Sequence, residues 1–271
     1  MLIRLFTILA LLLIPLSVQA SKSDLNRINS MYEENLLTRS ECIKAKKKIL
    51  GSNSNPDCKK ERTVKKELDL YTSQGTSFFI SNNGYMVTNY HIIDKCDDNV
   101  KIKYKTKDYD VRVVAKDRIL DLALLQANNI GRTKYLSLSS NPPEKLQKII
   151  AVGYPFGKWI SDDLKFTSGI ISSIKGPDDD STRIQIDASL NPGNSGGPII
   201  DDDNGKVIGV AVAKLDPSVS SGTNFAIKTS SLKNFLIANK IEPSIPLLSL
   251  SKSRSSLLKL LEETTVYTYC E

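Results

Sequence analysis

Short runs rich in Val, Ile, Phe and Tyr recur between residues 76 and 228, each closed by a cluster of Asn, Gly, Asp, Ser or Lys. The first series falls at 76–80, 85–89, 99–104, 109–115 and 121–126, the second at 147–154, 165–174, 182–187, 198–201, 206–213 and 223–228. Segments this short, bounded by turn formers and rich in β-branched and aromatic residues, predict strands rather than helices. Asn204-Gly205 is the strongest hairpin signal, because a two-residue type I′ turn needs positive φ at both central positions. Two successive series of five or six strands predict an all-β protein of two similar units, about 71–140 and 145–228. Residues 229–240 then read as a C-terminal helix with Leu232, Phe235 and Leu236 on one face. Pro243 and Pro246 interrupt the chain after this helix, and the tail 241–271 offers one more amphipathic helix from Ser255.

The residues before the strands read differently. Arg4, the apolar run Leu5 to Ile14 and the small-residue end Val18-Gln19-Ala20 predict a signal peptide, residues 1–20. The run is shorter than the roughly 20 apolar residues a membrane span needs, so no stable membrane anchor is expected. An exported chain is expected to be secreted, or periplasmic in a Gram-negative source. Its four cysteines, Cys42, Cys58, Cys96 and Cys270, form an even set that allows three pairings, with Cys42–Cys58 and Cys96–Cys270 the first expectation. Zinc-type cysteine spacing is absent and His91 is the only histidine, so no metal or other cofactor is expected. Asp178–Asp180 and Asp201–Asp203 read as solvated turns rather than calcium loops.

Residues 21–51 read as a helical hairpin. Leu25, Ile28, Met31 and Tyr32 fall at helical spacing, and Thr38-Arg39-Ser40-Glu41 is a capping box for a second helix that Gly51 ends. The stretch "INSMYEENLLTRSECIKAKKKILG" resembles the short hairpins called SHOCT domains, which implies a docking or homo-oligomerisation role beside the plainer one of a disulfide-pinned cap. Residues 52–70, with the run Ser-Asn-Ser-Asn-Pro, read as a linker. Removal of Arg4 with the signal takes the formal charge from +7 to +6. The lysines clustered between 44 and 66 alternate with acids and lack aromatic platforms, so no nucleic acid partner is expected.

The chemistry is concentrated in "DASLNPGNSGGPI", residues 187–199, where Ser195 stands among glycines and prolines just before a strand. Such a stretch forces a tight turn with unusual dihedrals and can present a hydroxyl beside converging N–H groups. Gly193-Asn194-Ser195-Gly196-Gly197-Pro198 resembles the nucleophile loop of chymotrypsin-fold serine proteases, and "NPGNSGG" that of the bacterial high-temperature-requirement (Deg) proteases. The resemblance implies two six-stranded antiparallel β-barrels in a domain spanning 71–240. It also implies Ser195 as nucleophile and the N–H groups of Gly193 and Ser195 as the oxyanion hole.

A serine hydroxyl needs a base, and His91 is the only imidazole available. It lies in "GYMVTNYHIID", which resembles the family's strand-to-helix Thr-Asn-x-His. The third member is expected at Asp121, an acid embedded in the apolar "ILDLALL" that resembles the family's Asp-Leu-Ala and whose burial demands a partner. Asp117 is the second choice, and Asp94 lies only three residues from His91. "QGTSFFISNNGYMVTN", "IAVGYPFG", "TSGIISSI" and "NFAIKTS" extend the likeness over roughly 74–232.

Departures from the family pattern are informative. Ser77 stands where the family often has glycine, and the roughly thirty residues after 240 are fewer than a PDZ module needs. Asn194 replaces the aspartate that receives a newly cut N-terminus in digestive relatives, which excludes that activation route. The resemblance lines the specificity pocket with Ser189, Leu190, Val212, Ala213, Lys214 and Thr223 and implies small or medium apolar substrate residues, Lys214 being the one position that speaks for an acidic one. Extended or misfolded polypeptides, held as an added strand along 212–214, are the expected substrates. The rival is a chaperone or adaptor that binds such chains without cutting them.

Overall fold

The computed structural model describes residues 25, 26, 28, 29, 31, 32, 37–51, 54, 56–58, 73–96, 99–155, 163–213, 223–248 and 250–270. They fall into two compact units, Met1–Glu67 and Leu68–Glu271. The expected signal peptide and most of the expected linker lie outside the described residues. In the first unit every described residue between 25 and 32 is helical, and helix α1 spans Arg39–Leu50. Its N-terminus is closed by the capping box: Glu41 N–H donates to Thr38 Oγ1 at 3.3 Å, and Thr38 N–H donates to Glu41 Oε2 at 2.8 Å. A Cys42–Cys58 disulfide pins this helix to the segment C-terminal to it, and Lys46 Nζ donates to the carbonyl of Asp57 at 2.7 Å.

Among its described residues the second unit has twelve strands: β1 (Ser73–Phe79), β2 (Tyr85–Thr88), β3 (Val100–Tyr104), β4 (Lys107–Asp117), β5 (Leu122–Ala127), β6 (Lys148–Gly153), β7 (Lys165–Ser173), β8 (Arg183–Ile186), β9 (Pro198–Asp201), β10 (Val207–Val212), β11 (Asn224–Lys228) and β12 (Thr265–Cys270). They close two antiparallel barrels of six strands, ordered β1-β12-β3-β4-β5-β2 and β10-β11-β8-β7-β6-β9. This is the expected all-β class and barrel pair. Neighbouring residues on a strand point to opposite faces, and here both faces are apolar. Phe79, Met86, Ile102, Leu125 and Val266 fill one core, while Ile149, Ile171, Ile184, Ile199 and Ile208 fill a second. Phe78, Val87, Leu124, Ile150, Val152, Ile200 and Val210 join a third, which also takes up Leu232, Phe235, Leu257 and Leu261. The pairs Phe78/Phe79, Ile149/Ile150 and Ile199/Ile200 therefore serve different cores, which is why these strands read as continuous apolar runs.

The described residues of this unit also form the short α-helices α2 (Tyr90–Ile93), α3 (Thr229–Ala238) and α4 (Arg254–Thr264). Helix α3 buries Leu232, Phe235 and Leu236, the face read from the sequence, and ends two residues earlier than expected.

The tail departs from its expected form. Helix α4 is present from Arg254, but the segment after it is the sixth strand of the first barrel rather than an appendage. β12 inserts between β1 and β3, with Tyr267 opposite Thr76 and Thr268 opposite Ile102. Its sequence Thr-Val-Tyr-Thr-Tyr-Cys is almost wholly β-branched or aromatic, and all six residues are buried. The barrel therefore reaches Cys270, beyond the boundary at 240. Ser77 is explained at the same place, since its hydroxyl lies 2.5 Å from that of Thr268. A Cys96–Cys270 disulfide fixes β12 to the turn after α2.

That bridge links residues 174 apart. A cross-link over so long a loop removes about 5 kcal/mol of unfolded-state entropy in the chain-entropy description. The paired substitution Cys96→Ala/Cys270→Ala is expected to lower the unfolding free energy by about 2–5 kcal/mol, read as a lower urea midpoint with a slope that rises as the unfolded chain expands.

Candidate active site

β2 ends at Thr88 and the chain turns at Asn89 into the single turn of α2, whose second residue is His91. Asp121 stands immediately before β5 with φ of 59°, a left-handed conformation that aspartate tolerates better than most side chains. This geometry turns both ends of Asp121 toward the β2–α2 corner. Its carbonyl accepts Tyr90 N–H at 3.1 Å and Asn89 Nδ2–H at 2.9 Å. Its carboxylate accepts the backbone N–H of His91 at 3.0 Å through Oδ1 and faces His91 Nδ1 at 2.8 Å through Oδ2. The pair is shielded but not sealed, with His91 24% and Asp121 13% exposed at the side chain. With Nδ1 committed to the carboxylate, Nε2 is the ring nitrogen left to take a proton.

The competing acids are engaged elsewhere. Asp117 Oδ1 accepts the N–H groups of Ile119 and Leu120 at 2.9 and 3.0 Å, a turn of its own, and Asp94 bonds the Tyr90 hydroxyl.

The loop carrying Ser195 is buried and wrapped against β1. Gly193 and Gly196 have φ of 101° and 82°, and a side chain on Gly196 would run into the carbonyl of Thr76 and the hydroxyl of Thr88. Asn194 N–H donates to Asn191 O at 2.9 Å, Gly196 N–H to Ala211 O at 3.0 Å and Gly197 N–H to Asn194 O at 3.0 Å. Among the described residues the N–H groups of Gly193 and Ser195 have no such partner. The loop thus pairs the N–H groups of Asn194, Gly196 and Gly197 and leaves that of Gly193 and that of the serine itself. Ser195 O accepts Thr76 N–H at 2.9 Å, and Gly75 is sandwiched between that carbonyl and Ile92, the residue after His91. The serine hydroxyl oxygen accepts Ala213 N–H at 3.1 Å; among the described residues it forms no hydrogen bond with His91.

The expected pocket residues divide. Leu190 and Ala213 share one apolar cluster, Ser189 is exposed and Thr223 is half-buried. Val212 departs from the expectation: its side chain is buried in the other cluster with Val210 and Ile227, because alternation along β10 turns it away from Ala211 and Ala213. Lys214 lies outside the described residues. Asp201, in the second acidic run, accepts N–H bonds from Asp203 and Asn204, and Asp202 pairs with Arg254. Thr76 bonds the loop from β1 and Thr88 bonds the Thr76 carbonyl from β2; both stand in the stretches that resemble the family, but nothing local marks this role.

Gly196→Ala combines a left-handed φ with a backbone clash. It is expected to cost about 3 kcal/mol or more of stability in a denaturant titration, well beyond an exposed Gly→Ala change.

Residues 75–210, half of the chain, match the family model for the trypsin-like peptidase domain. The chain is 36% identical over 181 residues to an uncharacterized protein of Sinorhizobium fredii, covering 64% of this chain and 28% of that protein. It is 35% identical over 169 residues to a probable periplasmic serine endoprotease, DegP-like, of Rhizobium meliloti, and 38% identical over 170 residues to one so described from Brucella suis biovar 1. These matches cover 60% and 59% of this chain and 32% of each relative, so the chain spans about a third of the length of the curated relatives it matches. Among solved structures, that of the serine endoprotease from Yersinia pestis superposes with a TM-score of 0.51 at 25% identity, over 62% of this chain and 58% of that one.

Proposed function

Because this chain belongs to the trypsin-like peptidase family, we propose that it is a serine endopeptidase in which Ser195 attacks, His91 relays the proton and Asp121 orients the imidazole. One observation carries the reading: a carboxylate-held histidine in the helical turn after β2 accompanies a serine, on a loop bonded to β1, whose own N–H and that of Gly193 are without a partner among the described residues.

Ser195 Oγ adds to the scissile carbonyl carbon while its proton passes to His91 Nε2, and the carbonyl oxygen becomes an oxyanion. The N–H groups of Gly193 and Ser195, without a partner among the described residues, receive that charge as it develops. Collapse of the tetrahedral species breaks the C–N bond, the His91 proton leaves on the amine, and Ser195 is left acylated. Water then repeats the sequence, losing its proton to His91 and returning the serine. Asp121 holds the ring through Nδ1 and stabilises the imidazolium in both halves. Because the serine oxygen rests on Ala213 N–H and carries a freely rotating proton, a substrate strand that takes up Ala213 N–H frees the hydroxyl for the histidine.

Extended or misfolded polypeptides are the substrates this reading favours, lying beside the end of β10 with main-chain hydrogen bonds and small or medium apolar side chains toward Leu190 and Ala213. Work outside the cytoplasm is supported by all four cysteines being paired, a state that oxidising compartments maintain. Among the described residues no helix is long and apolar enough to cross a membrane.

A fluorophosphonate probe is expected to label the wild type at Ser195 and to leave Ser195→Ala unlabelled, with turnover of an extended peptide falling about 10⁶-fold in that variant. Asp121→Asn is expected to retain the fold and lose about 10⁴ in kcat. A folded wild type that neither labels nor cleaves denatured protein would sink the reading and select a non-proteolytic binder of extended chains.

A further inference from the structure

Thr76 lies on β1 in the first barrel, fully buried, yet its partners at both the N–H and the hydroxyl belong to the second barrel. Its N–H donates to Ser195 O at 2.9 Å, its hydroxyl donates to Gly193 O at 2.7 Å, and the same oxygen accepts Tyr154 N–H at 3.1 Å. Its own carbonyl accepts the Thr88 hydroxyl at 2.7 Å. A side chain at Gly153 would meet Asn194 Oδ1 and Thr76 Oγ1, and one at Gly197 would run into Val152 O and come within 3.3 Å of the Thr76 methyl group, so the backbone packs closely on both sides of this threonine.

We propose that Thr76 is the positioning residue of the nucleophile loop, an inference that rests on the protease reading above and adds to it a residue outside the triad. The carbonyls of Gly193 and Ser195 are both drawn inward onto Thr76, while Asn194 O is turned back onto Gly197 N–H. Asn194 O shares its peptide group with Ser195 N–H, and the two peptides tied to Thr76, Gly193–Asn194 and Ser195–Gly196, adjoin that group on either side; the first of them also adjoins the Pro192–Gly193 peptide that carries Gly193 N–H, so Thr76 holds the neighbours of both donor peptides. A hydroxyl is required because only it both donates, to Gly193 O, and accepts, from Tyr154 N–H. Valine has the same shape and does neither, leaving the buried carbonyl of Gly193 without its Thr76 partner, which rotation of the Gly193–Asn194 peptide relieves by shifting the adjoining peptides that carry the oxyanion donors. Serine keeps both bonds.

The test compares wild type, Thr76→Val, Thr76→Ala and Thr76→Ser in the full chain, with near-UV circular dichroism as the check on folding. Thr76→Val is expected to lower kcat about 10²-fold, the cost of losing one oxyanion donor, with KM changed less than about threefold. Binding of a peptide aldehyde, which forms the tetrahedral adduct, is expected to weaken in proportion to kcat/KM, and Thr76→Ser is expected to stay within about threefold of wild type on every measure. A folded valine variant with near-wild-type kcat, or a loss that falls on KM instead, would overturn the proposal while leaving a labelled, active wild type and the protease reading intact. Loss of the native spectrum in both the valine and the alanine variant would also overturn it, since Thr76 would then hold the fold and not the loop. A wild type inactive and unlabelled at Ser195 removes the proposal together with its premise.

Discussion

β1 is held along one edge by a strand from far along the chain, and at Gly75 and Thr76 by the loop that carries Ser195. The reactive corner is built on that strand. Its N-terminal end meets the second barrel through Thr76 N–H and hydroxyl, and its C-terminal end pairs with β2, which delivers His91. Side chains at Gly75, Gly153, Gly196 and Gly197 would intrude on this contact, so the barrels approach through bare backbone rather than through an apolar interface alone.

The acid of the pair is secured in a different manner. Asp121 sits in a left-handed conformation before β5, and its carbonyl and carboxylate both bind the β2–α2 corner. The imidazole is therefore oriented by a residue whose backbone and side chain report to the same few atoms. A carboxylate tethered only through its side chain would swing; this one is fixed at two levels, and its strain is offset by four hydrogen bonds within the corner.

The strands were legible because their signals are local: alternating apolar runs, turn residues, and Asn204-Gly205 between β9 and β10. The Ser195 loop was legible because four glycines and prolines around one serine leave few conformations, and His91 because nothing else offers an imidazole. Asp121 is favoured over Asp117 in the sequence by its apolar setting and its likeness to Asp-Leu-Ala, and the geometry adds that Asp117 is engaged by its own turn. β12 was not legible. Its six residues look like a strand in isolation, but its partners are about 165 to 195 positions earlier and no periodicity links them. Thr76 was hidden for the same reason, its meaning lying entirely in carbonyls more than a hundred residues downstream. The direction of Val212 was a matter of strand parity, which alignment to a family does not supply.

The place of β12 also sets an order of events. A ribosome or an export channel delivers the chain from its N-terminus, and domains made first usually fold first. Here residues 73–127 cannot close their barrel alone: β1 and β3 remain open edges until residues 265–270 arrive, after the entire second barrel has been delivered. The last strand then slots between two that have waited longest. Until it does, the strand that carries Thr76 and Gly75 lacks its neighbour, so the two barrels mature together and the reactive corner is assembled at the end of synthesis rather than partway through it.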